Sequence, residues 1–147
     1  IPKIPKPLMK TSPDILDRIR VHGARAYPKE GCGFLLGRVT EEGVNHVSDL
    51  APVANRQTEN RARRYQITAD DYRAAEAEAD RQGLDIVGFY HSHPDHPAHP
   101  SETDLEEATF PGYTYVIVSV HEGTPEDLTA WSLTPDRSRF EAEDIAV

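Results

Sequence analysis

"GFYHSHPDHPAHPSETDLEEA", residues 88–108, decides how the chain is organised. It opens inside a run, "DIVGFYHSH" (85–93), whose β-branched and aromatic residues suit a strand, and Pro94 lacks the amide that a ladder would use next. It closes on "SETDLEEA" (101–108), where Ser101 and, three residues later, Asp104 have the Ser-x-x-acid form that starts a helix. The local order is therefore strand, proline-rich loop, helix. Four of the seven histidines fall in this stretch, a concentration that asks for a chemical reason.

Side chains two apart on a strand share a face and lie about 6.6 Å apart along it. His91 and His93 should therefore project together while Ser92 faces the other way. Two imidazoles so placed can reach one ion through bonds of about 2.0–2.1 Å. Asp104, brought round by the loop and held by the helix start, is the natural third ligand. Two nitrogens and one carboxylate leave a fourth position for water, as a hydrolytic zinc centre requires, and zinc can lower the pKa of water to about 7. Taken singly, His-Ser-His is an ordinary core or surface pattern and Ser-x-x-Asp a plain cap. Their conjunction across a six-residue spacer selects the Zn2+ site, one ion per chain. His96 and His99 lie beyond the strand and read as solvated rim residues. His22, His46 and His121 read as partly exposed structural histidines.

Working outward, "TSPDILDRIRVHGARAYPKE" (11–30) reads as a helix with Ser12 as N-cap, Pro13 in the first turn, an Ile15/Leu16/Ile19 stripe and Pro28 as its stop. "CGFLLGRV" (32–39) and "VNHVSDLAPV" (44–53) read as a hairpin across "TEEG". "YQIT" (65–68) suits a short strand, and "ADDYRAAEAEADRQG" (69–83) a helix stopped by Gly83. "YTYVIVSV" (113–120) and "LTAWSL" (128–133) are strong strands, and "RFEAED" (139–144) reads as a last, edge strand. Strands and helices alternate without a repeat or linker, which suits one domain of mixed α and β around one sheet.

At 147 residues the chain suits one domain. A net charge of −9 argues against nucleic acid and anionic membranes as partners. No apolar run reaches the roughly 20 residues of a membrane span, and the start has no apolar centre of a secretory signal. One cysteine, Cys32, excludes an internal disulfide, and a reducing, cytoplasmic setting is expected. The only methionine, Met9, precedes the first helix signal, so residues 1–8 are set apart as a remnant or disordered tail and 9–147 as the domain.

With Glu30 added upstream, these residues resemble the JAMM (MPN+) metalloprotease family in its short prokaryotic form. The family pattern is a glutamate, His-x-His-Pro, a six-residue spacer and Ser-x-x-Asp. Here it is Glu30, His91-Ser92-His93-Pro94, Ser101 and Asp104, and "YPKEGCGFLLGR" (27–38) also resembles the family's segment around the glutamate. The likeness runs from about residue 12 to 133. It implies a cytidine-deaminase-like α/β fold, a single mixed central sheet flanked by helices. It also implies a peptidase acting on amide or isopeptide bonds, with zinc on His91, His93 and Asp104, Glu30 as general acid/base and Ser101 stabilising the oxyanion. Cys32, two residues beyond Glu30, reads as a small buried hydrophobe near the site.

The connection between Asp104 and the strand at Tyr113 is too short for a substantial insertion. The lean form instead resembles prokaryotic members that trim ubiquitin-like or sulfur-carrier proteins after a C-terminal Gly-Gly, a tail narrow enough to pair beside an edge strand. Arg56, Arg61, Arg63 and Arg64 form a basic loop that is either simply solvated or a contact for an acidic partner. A silent scaffold of the same fold would usually have lost part of the set. A DNA-associated relative conflicts with the charge, and a zinc deaminase would need a Pro-Cys-x-x-Cys motif that is absent.

Overall fold

In a computed structural model of the chain, the described residues are 8–54 and 67–147. The four loop arginines and the first half of "YQIT" lie outside them. Among the described residues ten elements follow in order: β1 (Leu8–Lys10), α1 (Pro13–Ala26), β2 (Cys32–Val39), β3 (Asn45–Val53), α2 (Ala69–Gln82), β4 (Asp85–Pro94), α3 (Glu102–Glu107), β5 (Thr114–His121), β6 (Thr124–Leu133) and β7 (Phe140–Ala146). No helix of the described residues is long and apolar enough to cross a membrane.

The helix signals act as their chemistry directs. Ser12 accepts the Ile15 amide at 3.3 Å, Pro13 enters α1 where an amide would have no partner, and the helix ends before Pro28. Thr68 and Asp71 cap α2 reciprocally, and Gly83 closes it in the left-handed region at φ 66°. Ile67 and Thr68 thus lead into a helix and form no strand.

β2 and β3 form the expected antiparallel hairpin, and β2 pairs on its other side with β4. β4 is parallel to β5, with His91 opposite Ile117 and Pro94 opposite Val120. A strand so paired must be covered on both faces, which is why Val87 through Pro94 are all buried. One face of all seven strands gathers around α1: Ile15, Leu16 and Ile19 pack with Met9, Leu35, Val47, Tyr90, Val118 and Ala130, with Ile145 at the margin. The opposite face carries Phe34, Phe89, Tyr115 and Leu133 and is covered by Ala75 and Ala79 of α2.

The sheet is single and mixed, but it is closed, in the order β1-β3-β2-β4-β5-β6-β7, and not an open layer between helices. The strand of residues 140–146 is accordingly not an edge: β7 is antiparallel to β6 and parallel to β1. Closure depends on β1, three residues long and too short to show any period in sequence. Leu8, set apart with the N-terminal segment above, opens this strand and pairs with Asp144.

A polar chain crosses the closed sheet. Asn45 of β3 donates to Thr114 of β5 at 2.9 Å, and the Thr114 hydroxyl donates to Glu143 of β7 at 2.9 Å. Burial pushes the Glu143 carboxyl up to about 7, although the Thr114 bond pulls the other way. The folded chain therefore keeps a proton that the unfolded chain releases near the ordinary value of 4.5. Stability from this group is complete below that value and declines as pH rises to about 7. Glu143→Gln, neutral throughout, should gain on the unaltered protein by roughly 2–3 kcal/mol between pH 5 and 8 in urea unfolding. A difference constant across that range would place the titration elsewhere.

Candidate functional site

His91 and His93 leave β4 on the same face, as a strand requires. Their Nε2 atoms stand 3.1 Å apart. The loop after Pro94 returns the chain so that α3 begins beside them. Ser101 accepts the Asp104 amide at 3.0 Å, and Asp104 Oδ2 accepts the Ser101 amide at 2.8 Å. The reciprocal cap fixes the Asp104 carboxylate as well as the helix start. Its Oδ1 lies 3.1 Å from His91 Nε2 and its Oδ2 3.0 Å from His93 Nε2. Three residues from two elements thus meet at one point.

The donor chemistry fits a cation. The Pro97 carbonyl can only accept, so His93 Nδ1, 2.8 Å away, carries the ring proton and Nε2 of the neutral ring presents a lone pair to the cluster. A proton placed among His91, His93 and Asp104 satisfies one contact at a time, whereas a metal ion satisfies all three. Ligands on a tetrahedral zinc lie about 3.3 Å apart, within a few tenths of an ångström of the spacing seen. Burial lowers the His91 imidazole. For His93 burial acts in the same direction but is outweighed by Asp104 and the Pro97 carbonyl, and the ring is raised. Burial alone would raise Asp104; hydrogen bonds to both histidines and to the Ser101 amide hold it well below the usual carboxylate range.

Glu30 sits between α1 and β2, only 3% exposed, and one carboxylate oxygen lies within 4.8 Å of a ring nitrogen of His91 and of His93. It is another candidate ligand by distance, but Asp104 is in contact with both rings. Burial, then the charges of Asp104 and Glu107, push the Glu30 carboxyl up to about 9. The structure therefore gives the two carboxyls opposite tendencies, one held ionised and one holding a proton.

A cavity of about 370 Å³ opens over this group, lined by Glu30, His93, His96, Pro97, His99 and Ser101 among others. His96 and His99 are exposed on its rim, as expected. A larger hollow of about 880 Å³ is lined by Phe89, Tyr72, Phe110, Tyr115, Glu106 and Glu107 among others. Both take part of their walls from β4 and α3. His22 is half-buried and bonds Tyr90 at 2.7 Å, while His46 and His121 are exposed. Cys32 is fully buried beside His91, with its thiol directed at the Val53 carbonyl.

Several groups at the site carried no signal in sequence. The His96 carbonyl accepts from Ser119 at 2.7 Å and the Ala98 carbonyl from Thr129 at 2.6 Å, on either side of the Pro97 carbonyl that orients His93. These partners are 23 and 31 residues away, beyond any local pattern.

Residues 12–134 match the family described as prokaryotic homologs of the JAB domain. The chain is 34% identical over 125 residues to the desampylase of Haloferax volcanii, covering 81% of this chain and 87% of that protein. It is 29% identical over 121 residues to the CysO-cysteine peptidase of Mycobacterium tuberculosis, covering 82% and 79%. A solution structure of a protein from Salinibacter ruber is 71% identical, covers 94% of this chain and 90% of that one, and superposes with a TM-score of 0.78.

Zinc added at 1,000 times its dissociation constant should stabilise the metal-free protein by about 4 kcal/mol and raise its melting temperature accordingly. His91→Ala and Asp104→Ala should abolish the rise in a thermal scan. An undiminished rise in either variant would locate the ion elsewhere.

Proposed function

The chain belongs to the prokaryotic JAB-domain family, the short form of the JAMM peptidases, and from that premise we propose that it is a zinc-dependent peptidase or isopeptidase cutting after the C-terminal Gly-Gly of a ubiquitin-like or sulfur-carrier protein. The observation that carries this reading is the convergence of His91, His93 and Asp104 beside a buried Glu30 at the base of a cleft. The names of a desampylase and a CysO-cysteine peptidase among its relatives support the substrate class.

His91, His93 and Asp104 would hold one Zn2+ at the cleft that Glu30 and Ser101 also line. Bound there, zinc would supply a Lewis acid for the scissile carbonyl and make water acidic near neutral pH. The remaining work belongs to the chain. Glu30 takes a proton from the attacking water onto a carboxylate oxygen and returns it to the leaving amine. Burial and the neighbouring acids raise its pKa, and a dication beside it would lower that pKa toward the range where one group can both accept and give a proton. Asp104 stays ionised because two imidazoles and an amide face it, so it serves as ligand and not as proton carrier.

Ser101 has two tasks that do not compete. Its Oγ accepts the Asp104 amide, which leaves its own O–H to donate to the oxyanion that forms when the carbonyl is attacked. The hollow with an aromatic floor suits apolar side chains upstream of the glycines, and the smaller one the leaving amine. A Gly-Gly tail between them needs no space for side chains where the buried ligands crowd the backbone.

Zinc-loaded protein should remove an extension placed beyond Gly-Gly on small β-grasp carrier proteins, read by intact mass, with peptide-linked and lysine-linked extensions run side by side. Glu30→Gln should keep its zinc and lose about 10²–10⁴-fold in turnover. Undiminished turnover in that variant would remove Glu30 from the chemistry. Failure to cut any carrier by a zinc-saturated protein would exclude the substrate class.

A further inference from the structure

Ser92 stands between the two histidines and faces the other side of β4, only 1% exposed. Its Oγ accepts the Gly31 amide at 2.8 Å, and its own amide donates to the Gly31 carbonyl at 2.9 Å. Gly31 follows Glu30 directly. Both backbone polar groups of that residue are therefore held by a single side chain and its amide, at the one position of β4 flanked by both imidazoles.

The surroundings leave little freedom. A Cβ on Gly23 of α1 would lie 3.1 Å from Ser92 Cβ, Val118 Cγ1 and Val120 Cγ2, so the helix rests on this part of the sheet. A Cβ on Gly31 would lie 3.2 Å from His22 Cδ2 and Ala26 Cβ. The Glu30 segment thus runs between α1 and β4 without belonging to either, and Ser92 is its tie to β4.

We propose that Ser92 is a positioning residue that sets Glu30 against the His91–His93–Asp104 cluster by clamping Gly31. The inference rests on the proton-carrying role of Glu30 proposed above. Glu30 and its partners lie on different elements, and their separation must be held to a fraction of an ångström for proton transfer; a displacement near 1 Å costs about 10²-fold. Removal of the Ser92 hydroxyl leaves the Gly31 amide buried without its acceptor, which the segment can replace only by moving. The histidines, carried by β4 itself, keep their places.

The test is a series, Ser92→Thr, Ser92→Cys and Ser92→Ala, in zinc-loaded protein acting on a β-grasp carrier with a peptide beyond its Gly-Gly. Ser92→Ala should lose about 10²-fold in kcat with KM and zinc affinity unchanged. Ser92→Thr, which keeps the oxygen, should retain near-normal kcat, and Ser92→Cys should fall between. If the alanine variant does not fold, the cysteine and threonine variants carry the comparison. Amide exchange at Gly31, followed by NMR without any substrate, should be slow in the unaltered and threonine proteins and at least about tenfold faster in the others. Equal exchange across the series, or kcat within about twofold of normal in the alanine and cysteine variants, overturns the proposal. So does a loss of kcat and zinc affinity together in step with melting temperature. Glu30→Gln, run beside them, separates the two ideas: normal turnover there defeats the role of Glu30, whereas an inactive Glu30→Gln with normal Ser92 variants defeats the clamp alone.

Discussion

Two imidazole nitrogens and a carboxylate meet within 3.1 Å of one another in a buried place, and most of the structure serves to keep them there. Such a cluster is costly for a bare protein, because lone pairs and negative charge converge with too few protons between them. It persists where rigid elements impose it. Here β4 is locked between an antiparallel and a parallel neighbour, and α3 is begun by a reciprocal cap whose acid is itself a member of the cluster. The capping bond and the candidate ligand are one carboxylate.

The two acids show how environment divides chemical labour. Glu30 and Asp104 are both mostly removed from water. Asp104 faces two imidazoles and an amide and remains charged, whereas Glu30 adds its own charge to a region that already holds Asp104 and Glu107. The same functional group is held ionised in one place and driven toward its protonated form in the other, the division that the proposed ligand and proton-carrier roles require. The loop between β4 and α3 supports this division from outside. Its carbonyls at His96, Pro97 and Ala98 are held in turn by Ser119, His93 and Thr129, and Trp131 orients the Thr129 hydroxyl at 2.8 Å.

The wrapping of the sheet explains how so short a chain supports such a site. All seven strands turn one face to α1, so a single helix completes the main core. The outer face of β4 is divided between the core beneath α2, which takes Phe89, and the site, which takes His91 and His93. Phe89, His91 and His93 follow one another along that face, from the floor of the aromatic hollow to the smaller cleft.

Local chemistry determined much of this in the sequence alone. Two-residue periodicity put His91 and His93 on one face, proline ended the strand, and Ser-x-x-Asp began a helix, since each depends only on neighbours within a few residues. The JAMM-like order of Glu30, His-Ser-His-Pro and Ser-x-x-Asp is likewise legible in sequence, because the spacing from His91 to Asp104 is what brings the strand and the helix start together. Tertiary structure decided what no local pattern encodes. Closure of the sheet depends on three residues of β1, too few for a period, and it turned the last strand from an edge into a closing strand. Ser92, Ser119 and Thr129 meet their backbone partners across 61, 23 and 31 residues. A serine or threonine can bond almost any nearby carbonyl or amide, so its residue type names the capacity, and only the fold chooses the partner.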